Sequence, residues 1–293
     1  MTNKLKGIAG ILAAAVCLIT GSTLKNPQTT NTENINRSVK NEYTGIDTGS
    51  TEKSIRQKKT TRHRKPEMPA AIKGVLERVI EHKGYTVSFN REHNNPNYVA
   101  WELTASETEG TVKRYDDFTP DPDIPAPHQV NTDDYKGCGY DRGHMAPAAD
   151  MKWSRQAMKE CFYMSNICPQ NHSLNAGGWK TLEEACRRWA RQEGRIYIVC
   201  GPVYRKGKKQ KTIGKEHIIT VPDGFFKVIM SLRKGNEKAI GFYYTNKNGS
   251  QRMAEKAMSV DDIEKMTGIN FFVNVDNKTE RRIEAVYSLK AWR

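Results

Sequence analysis

Apolar residues first take up a regular period just past Pro69. Ile72, Val75, Leu76, Val79 and Ile80 recur at helical offsets and Gly84 follows as a stop, so the pattern predicts a helix there. Residues 85–89 alternate apolar and polar like a strand, and 98–104 resemble a second strand after the Asn94-Asn95-Pro96 turn. From 116 to 134 the chain carries Pro120, Pro122, Pro125 and Pro127, and is expected to cross the surface without regular structure. Beyond it the pattern predicts a short helix over 154–159, a strand over 162–167 and a helix over 179–192 stopped by Gly194. In that last helix Leu182, Ala185, Cys186 and Trp189 fall on one face, opposite Lys180, Glu184 and Arg191. Strands follow at 195–200, 217–221, 225–232 and 239–244, then a helix over 260–272 with Phe271 and Phe272 as core anchors. No internal repeat is visible. The order fits one α+β domain over 68–293, with flanking helices on a mostly antiparallel sheet.

The polar segments lie at the other end. Residues 23–67 are rich in Asn, Thr, Ser, Lys and Arg with no sustained period, which reads as a disordered basic linker ending in the cationic run 58–65. Residues 1–22 read as a signal peptide: Lys4 and Lys6 precede an uncharged apolar run over 7–20, and small residues cluster near Gly21 and Ser22. An exported protein, periplasmic or extracellular, is the expectation, with no stable membrane insertion of the mature chain. Lipidation at Cys17 and an uncleaved N-terminal anchor are the alternatives. The other five cysteines, Cys138, Cys161, Cys168, Cys186 and Cys200, have no Cys-x-x-Cys spacing, which argues against structural zinc and leaves room for one or two disulfides.

Composition adds a partner class. Hydrophobic residues make up 37% of the 293, enough for a core once the ends are set aside, so a wholly disordered chain is excluded. Lys and Arg outnumber Asp and Glu by 47 to 33, a net charge of +14, which favours polyanions such as nucleic acids.

Candidate chemistry concentrates in Tyr140-Asp141-Arg142-Gly143-His144-Met145-Ala146-Pro147 and just downstream. Asn166 closes the strand over 162–167, and Asn175 stands before Gly177-Gly178-Trp179 opens the helix. Glu183 and Arg187 lie four residues apart on that helix and project from one face, so a carboxylate and a guanidinium reach one site together. A strand with a His, a return strand and a polar helix face would suit one hydrated metal and one phosphate. His172 reads as a loop residue, and His82, His93, His128 and His217 as surface or strand residues. Tyr140 and Trp179 have the chemistry to stack on bases or to pack on the helix.

With these motifs the chain resembles the DNA/RNA non-specific endonuclease family, endonuclease G-like nucleases with a ββα-metal active site. The resemblance runs through Lys83-Gly84-Tyr85, Trp101-Glu102-Leu103-Thr104, Asp141-Arg142-Gly143-His144, Pro169-Gln170, Asn175, Trp179, Glu183, Gly201-Pro202 and Thr267-Gly268. It implies a nuclease acting on DNA and RNA through phosphate contacts, leaving 5′-phosphates, with Mg²⁺ as cofactor and Mn²⁺ as a substitute. It implies His144 as general base and Asn175 as the direct metal ligand. Asn166 and Glu183 would position metal-bound water and the His, and Arg142 and Arg187 would grip phosphate. A homodimer is a further expectation. Two other classes stay open at this stage: a catalytically silent nucleic-acid-binding protein, and a hydrolase of small phosphodiesters.

Overall fold

Strands buried on both faces organise the protein. In the computed structural model, which describes residues 65–75, 77–207 and 209–292, the chain runs through β1 (Arg78–Glu81), β2 (Thr86–Asn90), β3 (Asn95–Thr104), β4 (Asp141–His144), α1 (Arg155–Glu160), β5 (Ile167–Gln170), α2 (Lys180–Glu193), β6 (Arg195–Val203), β7 (Thr212–Ile213), β8 (Ile219–Thr220), β9 (Gly224–Ser231), β10 (Lys238–Thr245), α3 (Met253–Lys256), β11 (Ala257–Met258), α4 (Val260–Thr267) and α5 (Asn277–Glu284). Seven strands form one sheet in the order β1-β2-β3-β6-β9-β10-β11, every neighbouring pair antiparallel. The fold is therefore α+β with the antiparallel sheet expected.

Side chains alternate between two cores. Ile196, Ile198, Phe225 and Ile229 face a layer that includes Leu182, Ala185, Cys186 and Trp189 of α2, whereas Tyr197, Val199, Phe226 and Val228 face Val260, Ile263 and Ile283 of α4 and α5. Burial on both faces explains why 195–200 and 225–232 are nearly continuous apolar runs rather than alternating ones. A separate two-stranded ribbon, β4 with β5, leads through a wide turn at Leu174–Trp179 into α2 and so builds a ββα unit on the first layer.

Several expected elements are corrected. No helix spans 72–80: Gly74 is left-handed at φ 71°, and the chain enters β1, where Ile80 turns inward and Val79 outward. Of the residues at helical offsets there, Ile72 and Val75 are half-buried and only Ile80, already in the strand, is buried. The strand over 162–167 is instead a 3₁₀ turn, Met164–Asn166, before β5, and Asn166 precedes the strand rather than closing it. Nearly unbroken burial of this stretch erased the period that separates turn from strand. The helix over 260–272 stops at Thr267, capped by Gly268 at φ 75°, while Phe271 and Phe272 are fully buried. The strand over 217–221 shrinks to Ile219–Thr220. The segment 116–134 forms 3₁₀ turns at Ala126–His128 and Thr132–Tyr135 and sinks Asp121 and Ile124 inside, so it is more than a surface crossing.

His82 and His217 are likewise buried, each pairing with a carboxylate, Asp121 at 3.0 Å and Asp134 at 2.9 Å. Cys138, Cys161, Cys168, Cys186 and Cys200 are free thiols. Residues 1–22, and the linker up to residue 64, lie outside the described residues. Its last residues pack on the fold: the Asn274 amide donates to the Lys65 carbonyl at 2.9 Å, and Glu67 is buried. Among the described residues no helix is long and apolar enough to cross a membrane.

The wide turn into α2 depends on close backbone approach at Gly178. A Cβ there would lie 2.7 Å from the Gln251 carbonyl oxygen and 2.8 Å from the Tyr244 ring. Gly178→Ala should lower the unfolding free energy by about 1–3 kcal/mol, read from the urea midpoint at unchanged slope.

Candidate active site

The ββα unit carries the expected residues. On β4, Asp141 pairs with Gln170, Gly143 with Cys168 and His144 with Ile167. Gly143 is required because the Gln170 side chain folds over it, and a Cβ would sit 2.6 Å from Gln170 Cβ. At the far end the Trp179 indole donates to the His144 carbonyl at 3.4 Å, fastening the start of α2 to the strand.

His144 is held among rings. Its imidazole lies 4.8 Å from the Phe162 ring, edge to face, and 5.3 Å from Phe118, and its Nε2 is buried without a hydrogen-bond partner. Two guanidiniums flank it on the same rings, Arg142 over Phe118 at 4.4 Å and Arg114 over Phe162 at 4.9 Å. Burial first, then the Arg114 charge, push the His144 pKa down to about 3; Asp116 opposes them, and Arg142 adds the least. The ring is therefore neutral near pH 7.

Asn175 meets the same strand at Asp141. Its Nδ2 donates to Asp141 Oδ2 at 2.9 Å, and the same oxygen pairs with His172 Nδ1 at 2.9 Å. With the amide nitrogen committed, Oδ1 is the atom left for a hard cation, so the donor chemistry fits magnesium or a similar ion. His144 and Asn175 are thus tied to one four-residue strand, three residues apart through Asp141.

Asn166 is placed differently from its expected role. Fully buried, it accepts from the Ala146 N–H at 2.9 Å and donates to the carbonyls of Ala146 at 2.9 Å and Cys161 at 2.8 Å. Its amide is spent on the backbone that leaves His144. It steadies the His through the chain and is not directed at metal-bound water.

Glu183 and Arg187 are not an exposed helical pair. Arg187 donates to Asp150 Oδ1 at 2.9 Å, and Trp101 donates to Asp150 Oδ2 at 3.2 Å. Close by, Lys227 is 1% exposed, its ammonium 4.5 Å from the Trp179 ring and 5.1 Å from Trp101. Burial works against that ammonium, but Cys200, Glu183, Cys186 and Asp150 outweigh it and hold its pKa above the usual lysine range. Of these only the carboxylates supply charge near neutral pH, since burial pushes the Cys200 and Cys186 thiols up to about 12. Burial also raises Asp150, with Arg187 and Lys227 pulling it back, and pushes Glu183 up to about 7 against Lys227 and Arg187.

Asp141, Asp150, Arg114 and Lys227 were not singled out from the sequence. Asp141 stands in the Asp141-Arg142-Gly143-His144 motif with no role assigned to it, and Lys227 is the one charge inside the apolar run 225–232.

Two outcomes follow from this charge cluster. Arg187→Ala leaves Asp150 buried without its main partner and should cost about 2–4 kcal/mol in denaturant unfolding, beyond any effect on substrate. Because Glu183 is raised above its unfolded value of about 4.5, its neutral form is favoured by folding, and the benefit is lost as pH rises through about 7. In EDTA, Glu183→Gln should match the parent in stability below pH 4.5 and exceed it by about 1–3 kcal/mol above pH 7. A difference independent of pH would contradict the burial of an ionisable carboxyl.

Comparison with known proteins agrees with the ββα geometry. Residues 67–278 match the model of the DNA/RNA non-specific endonuclease family. The mitochondrial Nuclease 1 of Schizosaccharomyces pombe is 34% identical over 227 residues, covering 71% of this chain and 70% of its own. The mitochondrial nuclease EXOG of Xenopus laevis is 35% identical over 206 residues, 66% of this chain and 57% of its own, so the chain spans less than two thirds of that relative's length. The crystal structure of the EndoG/EndoGI complex superposes with a TM-score of 0.65 at 29% identity, over 70% of this chain and 89% of that one. These relatives also overturn the expected export to the periplasm or exterior, because both curated proteins are named mitochondrial. A positive-then-apolar leader is read by a receptor, and its polarity alone does not specify the compartment. Motif, ββα geometry, sequence likeness and structural likeness lead to one conclusion: the chain belongs to the DNA/RNA non-specific endonuclease family.

Proposed function

We propose that residues 68–293 form a magnesium-dependent endonuclease domain that hydrolyses phosphodiester bonds of DNA and RNA without sequence preference, leaving 5′-phosphates. Its family comprises divalent-metal-dependent nucleases that bind nucleic acid. The observation that carries the finer reading is the joint anchoring of a neutral imidazole and an oriented side-chain amide on one short strand, through Asp141.

In this reading His144 takes the proton of the attacking water. Arg142 and Arg114 lie on either side of it and would receive the phosphate. A docked phosphate cancels the two positive charges that help depress the His144 pKa, so substrate binding itself makes the ring a stronger base. Asn175 Oδ1 would hold the metal, steadied by the Asp141 carboxylate on its amide nitrogen. What the cation supplies when bound is stabilisation of negative charge on the phosphate and the departing 3′ oxygen. Glu183 and Arg187 act from the buried cluster beneath α2, keeping the helix in register with the strand. Contacts to phosphate and sugar carry no base information, which accounts for the lack of sequence preference.

Plasmid DNA and RNA should both be degraded in Mg²⁺ or Mn²⁺ and spared in EDTA. His144→Ala should lose about 10²–10⁴-fold in rate while DNA binding and thermal stability hold, and Asn175→Ala should need more metal for the same rate. Gel retardation without cleavage would indicate a silent binder, and turnover of a model diester alone a small-molecule hydrolase. Near-normal cleavage by His144→Ala would move the base to His172.

A further inference from the structure

A second cluster of ionisable groups lies on the far layer of the sheet, where α4 and α5 pack around Val260, Ile263 and Ile283. Asp261 and Glu264 are three residues apart on α4 and share a face. Glu284 ends α5. One carboxylate oxygen from each residue lies within 4.8 Å of those of the other two. Glu284 is the buried member, 3% exposed, and its Oε1 has no hydrogen-bond partner. Glu264 Oε1 accepts from the Phe271 N–H at 2.7 Å, which orients it but brings no full positive charge.

No basic side chain is among the groups that shift Glu284, and two of those on these helices pair elsewhere. Lys265 bonds Asp262 at 3.2 Å, Arg282 bonds Glu237 at 3.2 Å, and the effect of Arg281 falls on Glu280. Burial, then Glu264, Glu280 and Asp261, push the Glu284 pKa up to about 9, and burial raises Glu264 as well. Three converging carboxyls cannot all ionise unless a counter-charge joins them. Either Glu284 keeps a proton or a cation takes its place.

We propose that Asp261, Glu264 and Glu284 form a binding site for a calcium-class divalent cation that clasps α4 to the end of α5. The donors are oxygen only, with no thiol or imidazole in the group, which selects a hard ion over zinc, iron or copper. Three flexible carboxylates offer up to six oxygens in no fixed octahedron, a set that suits Ca²⁺ better than the rigid coordination of Mg²⁺. The unpartnered Glu284 oxygen is the feature a cation explains and packing does not. The site is independent of the nuclease reading, because it stands on the face of the sheet opposite the ββα unit.

The test uses the full chain, stripped of metal and titrated with CaCl₂ alone near neutral pH. Calorimetry and thermal unfolding are followed in the parent, Asn175→Ala, Asp261→Asn and Glu284→Gln. The parent and Asn175→Ala should bind one Ca²⁺ with a dissociation constant on the order of 0.1 mM, and their Tm should rise with Ca²⁺. Asp261→Asn and Glu284→Gln should lose at least about tenfold in that affinity and most of the Tm response. Asp261 lies half-buried at the rim, so its variant decides the matter if Glu284→Gln fails to fold. A parent that shows no Ca²⁺ response would overturn the proposal in favour of a proton held by Glu284. An equal response in Asp261→Asn would overturn it too, and loss of the response in Asn175→Ala would assign the calcium to the ββα unit instead.

Discussion

A lysine ammonium enclosed under the active-site helix sets terms that the rest of the architecture meets. Lys227 lies on the interior strand β9, between the rings of Trp101 and Trp179. An ion at that depth persists only where counter-charge reaches it. Glu183 brings one carboxylate from α2, and Asp150 brings another from the turn after β4. Asp150 in turn is held by Arg187 and Trp101. One electrostatic requirement therefore ties the sheet, the helix and the chain just past His144 into a single arrangement. Such a cluster adds little to net stability compared with an apolar core of the same volume, and its physical value lies in orientation.

The same logic governs β4. His144 itself makes few polar contacts, and its placement is maintained by groups that never touch the ring. Asn166 grips the backbone beyond it, Trp179 bonds its carbonyl, and the bare backbone of Gly143 admits Gln170. Asp141 aligns the Asn175 amide from the same strand. Desolvation and two neighbouring guanidiniums then keep the imidazole unprotonated. Positive charge is thus concentrated beside His144, whereas the acidic group at the α4–α5 junction lies on the opposite face of the sheet.

Much of this was legible before the fold was known. Helix α2 announced its buried face through Leu182, Ala185, Cys186 and Trp189, because a helix half in water must alternate with its own period. The motif around His144 and the position of Asn175 marked the candidate site, since turn glycines and polar residues have few structural reasons to cluster so. Where burial is nearly continuous, as over 161–170, no period survives to separate the 3₁₀ turn at Met164–Asn166 from a strand. Where a segment is irregular, as over 69–75, half-buried residues such as Ile72 and Val75 imitate a helical spacing.

The sequence by itself determined the α+β class, the long helix, the ββα motif and the membership of a nuclease family. Those depend on local period and on short motifs, which are properties of neighbouring residues. Tertiary structure alone decided that Arg187 belongs to Asp150, that Asn166 serves the backbone, that Asp141 orients Asn175 and that Lys227 completes the cluster. Partners separated by 20 to 77 residues meet only after the sheet has formed, and burial then fixes which charge must answer which.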